Sequence, residues 1–100
     1  MSKHSYRTKD GRDYFDFSVE QQSNGTYRAY ITSMPSLGNR SNGAHETHRY
    51  YDNATSRHYI CYEAPVYSEQ KMKPVMRHWS EEIQRYIRTG EPFRQPNQIR

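Results

Sequence analysis

The feature that most constrains this fold is a helical pattern of apolar residues in the C-terminal third of the chain. Large apolar side chains recur there at intervals of three and four, the period of one helix face, at Met72, Val75, Met76, Trp79, Ile83, Tyr86 and Ile87. Ser68 can cap the start of this helix, and Gly90 follows as a stop signal. Pro74 lies beyond the first turn, so we expect a kink there or a separate first turn, with the main helix starting near Lys73.

Upstream, residues 14–20 alternate between apolar and polar side chains, which predicts a strand with one buried face. Its apolar residues are Phe15, Phe17 and Val19. Asn24-Gly25 then signals a hairpin. A three-residue loop over 23–25 pairs Val19 with Ala29 and Phe17 with Ile31. A two-residue loop would turn Ala29 and Ile31 to the wrong face, so we predict the three-residue loop.

A second hairpin is predicted from residues 48–52 and 57–63, which flank a polar turn. Pro65 then ends strand pairing. Two hairpins followed by one amphipathic helix predict an α+β fold. Its small antiparallel sheet, of about four strands, would pack on the single C-terminal helix.

The remaining segments are predicted to lie outside that core. Residues 1–13 are polar and without periodicity, which predicts a flexible N-terminal arm. Residues 14–90 form the single α+β domain, and residues 91–100 are a C-terminal tail. Residues 33–46 are rich in Ser, Gly and Asn and predict a long loop, a kind of segment that is usually functional or mobile.

The composition agrees with one small folded domain. A chain of 100 residues suits one domain and not two. A mean hydropathy of −1.30 is typical of disordered chains, but 14% of the residues are aromatic, and ten of those are tyrosines. Because a tyrosine ring buries like an apolar group, the aromatic content favours a folded core.

The location of the protein is predicted from its single cysteine and its apolar segments. Cys61 cannot form an internal disulfide, whereas small secreted domains usually need several. The N-terminus has no apolar run typical of a signal peptide. No stretch approaches the ~18 apolar residues that a membrane span requires. We therefore expect a soluble, cytoplasmic protein without a membrane partner.

The net charge of +4 is concentrated at the ends of the chain. Residues 1–13 carry four basic and two acidic side chains, giving +2, and residues 91–100 carry two and one, giving +1. The nine basic and eight acidic residues between them give +1. Folded nucleic-acid binders usually concentrate basic residues on one face. We expect weak, non-specific polyanion binding from this distribution of charge.

Histidines and the cysteine offer an alternative, a small Cys/His-based enzyme or metal-binding protein. The candidate ligands are His45, His48 and His58, but their spacing matches no standard zinc site, so we expect neither a tight metal site nor a cofactor. A histidine followed by Ile60-Cys61 resembles the active-site stretch of ubiquitin-conjugating enzymes. The proline and asparagine expected after that histidine are missing. A lone strand cysteine is more often a small buried residue.

Residues 25–35 offer a further alternative. Gly25-Thr26-Tyr27-Arg28-Ala29-Tyr30-Ile31, followed by Met34-Pro35, resembles the second strand of HicB-type antitoxins. Those small β-sheet domains pair with an RNA-cleaving toxin, so the resemblance implies a nucleic-acid-binding accessory protein of toxin–antitoxin type. The helix that follows this strand in the family is missing here, because strand-like residues follow Ala44.

The tyrosines and arginines of the two hairpins carry our leading interpretation. Tyrosine suits a half-exposed sheet face for structural reasons alone, but exposed tyrosine beside arginine is also typical of binding hot spots. The sequence therefore predicts a non-enzymatic interaction module that uses this sheet face and the 33–46 loop. Its partner would be another protein or a second copy in a homodimer. The predicted contact residues are Tyr14, Arg28, Tyr30, Tyr50, Tyr51 and Tyr59.

Overall fold

The computed structural model describes residues 1–94 and contains one antiparallel sheet and one long helix. The strands follow the order β1-β2-β3-β5-β4, and every neighbouring pair is antiparallel. The predicted α+β class is confirmed, with five strands where about four were expected. The elements are β1 (Ser2–Arg7), β2 (Tyr14–Gln21), β3 (Tyr27–Ser33), α1 (Ala44–Thr47), β4 (Arg49–Asp52), β5 (Arg57–Ile60) and α2 (Glu69–Thr89).

The β2–β3 hairpin has the predicted three-residue loop. The backbone N–H of Gln22 donates to the carbonyl of Thr26 at 2.7 Å. Gly25 has a φ of 89°, which a residue without a side chain adopts at little cost. Val19 pairs with Ala29 as predicted. This register decides which residues of β3 face the helix and which face away from it.

The N-terminal segment is not the flexible arm that the sequence predicts. Ser2–Arg7 is β1, paired with β2 along its whole length at one edge of the sheet. Its inward side chains bond to α2, because His4 contacts Glu69 at 3.1 Å and the Tyr6 hydroxyl donates to Glu81 at 2.6 Å. Polar contacts with the helix hold this strand in place. An alternation of apolar and polar residues in the sequence does not predict such contacts, so it does not predict this strand.

The core lies between α2 and the facing side of the sheet. Trp79 is fully buried and meets the rings of Phe15 and Phe17 edge-on, with centroids 5.7 and 6.1 Å apart. Its indole N–H donates to the carbonyl of Thr47 at 3.0 Å, which satisfies the polar atom of this buried ring. The helix face predicted from the sequence is therefore the face that packs against the sheet.

Helix α2 is continuous through Pro74, so the alternative of a separate first turn is wrong. The Ser68 hydroxyl caps its start by accepting from the N–H of Lys71 at 3.2 Å, and Gly90 ends it with a φ of 77°. Within residues 1–94, no helix has both the length and the apolar character needed to cross a membrane.

The 33–46 loop packs against the C-terminal end of α2. The Arg40 guanidinium donates to the carbonyls of Ile87 and Arg88, at 3.1 and 3.2 Å, and the Tyr86 hydroxyl donates to the carbonyl of Ser41 at 2.8 Å. The two Arg40 contacts satisfy carbonyls that a helix end leaves without partners. They also hold the loop on the helix side of the sheet.

The first residues of the predicted 91–100 tail pack against the domain. Phe93 is buried against the imidazole of His48, with ring centroids 4.3 Å apart. Arg94 donates to the buried carboxylate of Glu82 at 2.7 Å, from both its backbone N–H and its guanidinium. The remainder of the predicted tail, 95–100, lies outside the described residues.

Candidate functional site

The face of the sheet opposite α2, called here the open face, carries the central tyrosines of the predicted contact surface. Strand pairing places Tyr30, Tyr59 and Tyr50 in one row across β3, β5 and β4. The ring centroids of Tyr30 and Tyr59 are 5.7 Å apart, and those of Tyr59 and Tyr50 are 5.9 Å apart, both edge-on. The structure therefore brings three of the predicted tyrosines into contact.

Tyr30 nevertheless is not available to a partner, because only 2% of it is exposed. The Arg57 guanidinium lies over its ring, 3.8 Å from the centroid. Its hydroxyl donates to the carboxylate of Asp52 at 2.7 Å. The predicted exposure of Tyr30 is wrong because another side chain of the same sheet covers the ring.

Tyr59 is covered in the same manner by a second arginine. The Arg28 guanidinium lies 4.2 Å from its centroid and reaches Asp52 at 3.3 Å. Arg57 in turn continues past Tyr30 to Glu20, with two hydrogen bonds of 2.8 and 3.1 Å. Each arginine thus crosses a tyrosine ring to a carboxylate, and the four charges cancel.

The same contacts shift the titration of the groups involved. The hydrogen bond from Tyr30 lowers the pKa of Asp52, and the hydrogen bonds from Arg57 lower the pKa of Glu20. Burial raises the pKa of Tyr30, and its bond to Asp52 acts in the same direction. Near neutral pH the network therefore holds ionised carboxylates and a neutral phenol.

Tyr14 and Tyr51 are separated from this row. Tyr14 lies at the β1 side of the open face, where the guanidinium of Arg7 is 4.5 Å from its ring centroid. Tyr51 points to the opposite face and packs edge-on against His58, with centroids 4.9 Å apart. Both are about half exposed, at 55% and 50%. The six predicted residues therefore do not form one surface.

A groove begins where β3 and β5 diverge. The two strands pair only through Tyr30–Tyr59 and Ile31–His58. Beyond Ile60 the chain turns toward β4, and the N–H of Cys61 donates to the carbonyl of His48 at 2.9 Å. The divergence leaves a cleft of about 290 Å³, called here the tyrosine groove. Its principal lining residues are Tyr27, Arg28, Tyr50, Tyr59, Cys61 and Tyr62.

Cys61 lines this groove but is poorly suited to act as a nucleophile. The residue is 6% exposed, and burial raises the pKa of its thiol, although a hydrogen bond with Tyr50 acts in the opposite direction. Reactive cysteines have a lowered pKa, because the thiolate is the nucleophile. The geometry does not favour the predicted alternative of a Cys/His enzyme at this position.

The histidines do not converge either. His45 and His48 are stacked with ring centroids 6.4 Å apart at α1, whereas His58 lies in the sheet beside Tyr51. Burial lowers the pKa of both His48 and His58. Within residues 1–94, no three His, Cys, Asp or Glu side chains are placed so that they could hold a metal ion.

Sequence reasoning missed the residues that complete the open-face network and the groove. Glu20 could have been found, because the predicted register already pairs it with Arg28. Asp52 and Arg57 lie opposite each other in β4 and β5, but their long-range partners depend on β5 lying beside β3. Tyr27 and Tyr62 line the groove only because the two strands diverge there.

Comparison with known proteins finds no match: no protein-family model, no curated protein and no solved structure is similar to this chain. The likenesses to HicB-type antitoxins and to ubiquitin-conjugating enzymes stay resemblances of short segments. The geometry of the chain itself is therefore the basis for assigning a function.

Proposed function

We propose that this protein is a non-enzymatic binding module whose contact surface is the tyrosine groove. The observation that carries the proposal is the lining of that groove, in which four tyrosines and Arg28 surround one cleft at the end of the β3–β5 pairing. Tyrosine and arginine are the residue types that most often dominate protein interfaces. Half of the Tyr50 side chain is exposed at the groove, where a partner can reach it.

The groove is also held in place before any partner arrives. Arg28 is fixed by its contacts with Tyr59 and Asp52, and the Tyr50 ring rests on Tyr59. Side chains that are already ordered lose less conformational entropy on binding, so more of the contact energy contributes to affinity. The ordered groove should therefore bind a partner more tightly than an equivalent surface whose side chains become ordered only on contact.

The charges near the groove favour a protein partner over a nucleic acid. Arg28 and Arg57 are both paired, with Asp52 and Glu20 respectively, so this region offers little net positive charge. Nucleic-acid affinity depends mainly on unpaired cations that neutralise phosphates. A second copy of the chain remains one form that the protein partner could take.

The test is affinity capture from cell extract with immobilised protein, comparing two groove variants with the wild type. Tyr50→Ser removes an exposed ring, and Ala64→Arg fills the groove from an exposed lining position without deleting a contact. Both variants should lose the captured partner, whereas Tyr14→Ser should keep it. Tyr14 is a suitable control because it is 55% exposed on the same face, beside Arg7 and far from the groove.

Sedimentation over a wide concentration range identifies the homodimeric form of the proposal. Self-association that Tyr50→Ser and Ala64→Arg abolish, and that Tyr14→Ser does not, would show that the groove binds a second copy. Capture and self-association that are the same for all three variants would contradict the proposed surface. Melting curves of each variant confirm that any loss of binding occurs in a folded protein.

A further inference from the structure

The second feature with a binding geometry is β1, at the opposite edge of the sheet from β4. This six-residue strand pairs with β2 on one side only. On its other side, its backbone N–H and C=O groups have no backbone partner within residues 1–94. An edge of this kind is a template onto which another extended segment can pair.

A groove runs beside this edge, between β1 and α2. It consists of two adjacent cavities, of about 420 and 130 Å³, that share the lining residues Tyr6 and Arg77. His4 and Lys73 line the smaller cavity, and Lys9 lines the larger one. A segment added to β1 would place every second side chain in this groove and the others along the open face.

Basic side chains flank both rows, and Asp16, which lies opposite Ser5 beside the open-face row, already accepts from the Ser5 hydroxyl at 2.6 Å. On the groove side lie Lys9, Lys73 and Arg77, and on the open face lie Lys3 and Arg7. All five side chains are exposed, and none of them forms an ion pair within the described part of the chain.

The two acidic residues that line the larger cavity are already bonded. Glu81 accepts from the Tyr6 hydroxyl at 2.6 Å and from the backbone N–H of Lys9 at 2.8 Å. Glu82 is buried and bonded to Arg94. The carboxylates are thus engaged within the domain, while the cations Lys9 and Arg77 are free for a ligand.

We propose that β1 and α2 together bind an extended acidic segment of a partner protein, which adds to the sheet as a sixth strand beside β1. Strand addition supplies affinity through main-chain hydrogen bonds and specificity through pockets for alternate side chains. Here the β1 edge supplies the hydrogen bonds, and the cations on both sides select glutamate or aspartate. This surface is separate from the tyrosine groove and does not depend on the function proposed for it.

A second copy of the chain that pairs symmetrically at Ser5 is a poor occupant of this edge. In a symmetric antiparallel pairing of β1 with itself centred on Ser5, Lys3 of one copy would lie opposite Arg7 of the other. Like charges directly opposite each other destabilise strand pairing. The competing explanation is that these cations only protect the edge against association, as lysine often does. That explanation predicts no binding of an acidic strand.

The experiment uses a fluorescein-labelled peptide of about eight residues in which two glutamates alternate with one valine, so that both rows of side chains carry carboxylates. Binding is measured by fluorescence anisotropy, and the site is mapped by NMR amide shifts of the 100-residue chain. We expect shifts concentrated on β1 and on the first half of α2. A peptide with glutamine in place of glutamate, and one N-methylated at alternate residues, should each bind at least about tenfold more weakly, because they lose charge contacts or main-chain hydrogen bonds.

The variant Lys73→Glu/Arg77→Glu should weaken binding by about tenfold or more. Lys71→Glu is the matched control, since Lys71 is exposed on the same helix and lines neither cavity. If millimolar peptide causes no amide shifts on β1, the proposal is overturned. The cations would then only protect this edge against association. Equal binding of the N-methylated peptide would overturn strand addition in favour of simple charge attraction. Tyr50→Ser should bind the peptide like the wild type, so this result and that of the groove test are independent.

Discussion

The two faces of the sheet both conceal aromatic rings, but by different means. On the helix side, Phe15 and Phe17 are covered by Trp79, a residue from a separate layer. On the open face, Tyr30 is covered by Arg57, a residue of the same sheet. A small domain can therefore bury large rings on both faces with only one helix, provided that arginine guanidinium groups lie across the second set.

The two faces should respond differently to solution conditions. Burial of Trp79 against phenylalanine depends on apolar area, which neither acid nor salt removes. The cover of the open face depends on Arg28 and Arg57 being held by Asp52 and Glu20. Partly exposed ion pairs of this kind are weak individually and are screened by salt. The helix side thus supplies most of the stability, and the open face supplies a smaller and conditional part.

The largest expected effect is on the helix side. Trp79→Ala should lower the free energy of unfolding by about 3–5 kcal/mol, since it removes a fully buried ring that fills the centre of the core. That loss is a large fraction of the stability of a typical small domain. Urea denaturation followed by circular dichroism measures it. An unchanged midpoint would show that Trp79 is not the centre of the core.

The helix side was also the more predictable of the two. The spacing of apolar residues predicts which face of α2 packs, and the alternation from Phe15 to Val19 predicts its partner strand. Asn24-Gly25 and the requirement that Ala29 face inward are enough to determine the loop and the register. Each of these inferences depends on local pattern, and local pattern controls burial where the contacts are apolar.

The open face and β1 were less predictable, because polar contacts between distant residues determine them. Tyr30 is buried by Arg57 and Asp52, which are more than twenty positions away and reach it only because β5 lies beside β3. Strand β1 has polar inward residues, His4 among them, whose partners are carboxylates on α2. No periodicity in a single sequence indicates which lysine, arginine or acid will meet across such a distance.

A smaller effect on the free energy of unfolding is expected from the buried hydroxyl of Tyr30 on the open face. Tyr30→Phe should lower the free energy of unfolding by about 1 kcal/mol, because it removes the hydrogen bond to Asp52 and keeps the ring under Arg57. Tyr59→Phe is the control, since the Tyr59 hydroxyl has no hydrogen bond within residues 1–94. Equal effects of the two substitutions in urea denaturation would mean that the Asp52 contact adds no stability.

The smallest expected effect comes from the ion pair between Glu20 and Arg57 on the open face. The stability that this pair supplies depends on pH, whereas the stability from the apolar contacts of the helix side does not. The hydrogen bonds from Arg57 lower the pKa of Glu20 in the folded protein below its ordinary value. The stability from this contact is therefore fully present above the unfolded-state pKa, and it is lost as the pH falls through the folded-state pKa. Glu20→Gln should cost about 0.5 kcal/mol near neutral pH, and the difference from wild type should close in acid, as the pH falls through the folded-state pKa of Glu20.

Unfolding in urea at several pH values and two salt concentrations tests this dependence. The cost of Glu20→Gln should shrink both in acid and in high salt, because protonation and screening each weaken the pair with Arg57. Glu46→Gln is the control, an exposed glutamate of α1 that forms no ion pair in the described part of the chain. The difference between Glu46→Gln and wild type should not shrink in high salt, because this residue has no ion-pair partner within residues 1–94 to be screened. A Glu20→Gln cost that stays constant from neutral pH to acid would mean that Arg57 covers Tyr30 without help from the carboxylate. The open face would then be held by ring contacts, as the helix side is.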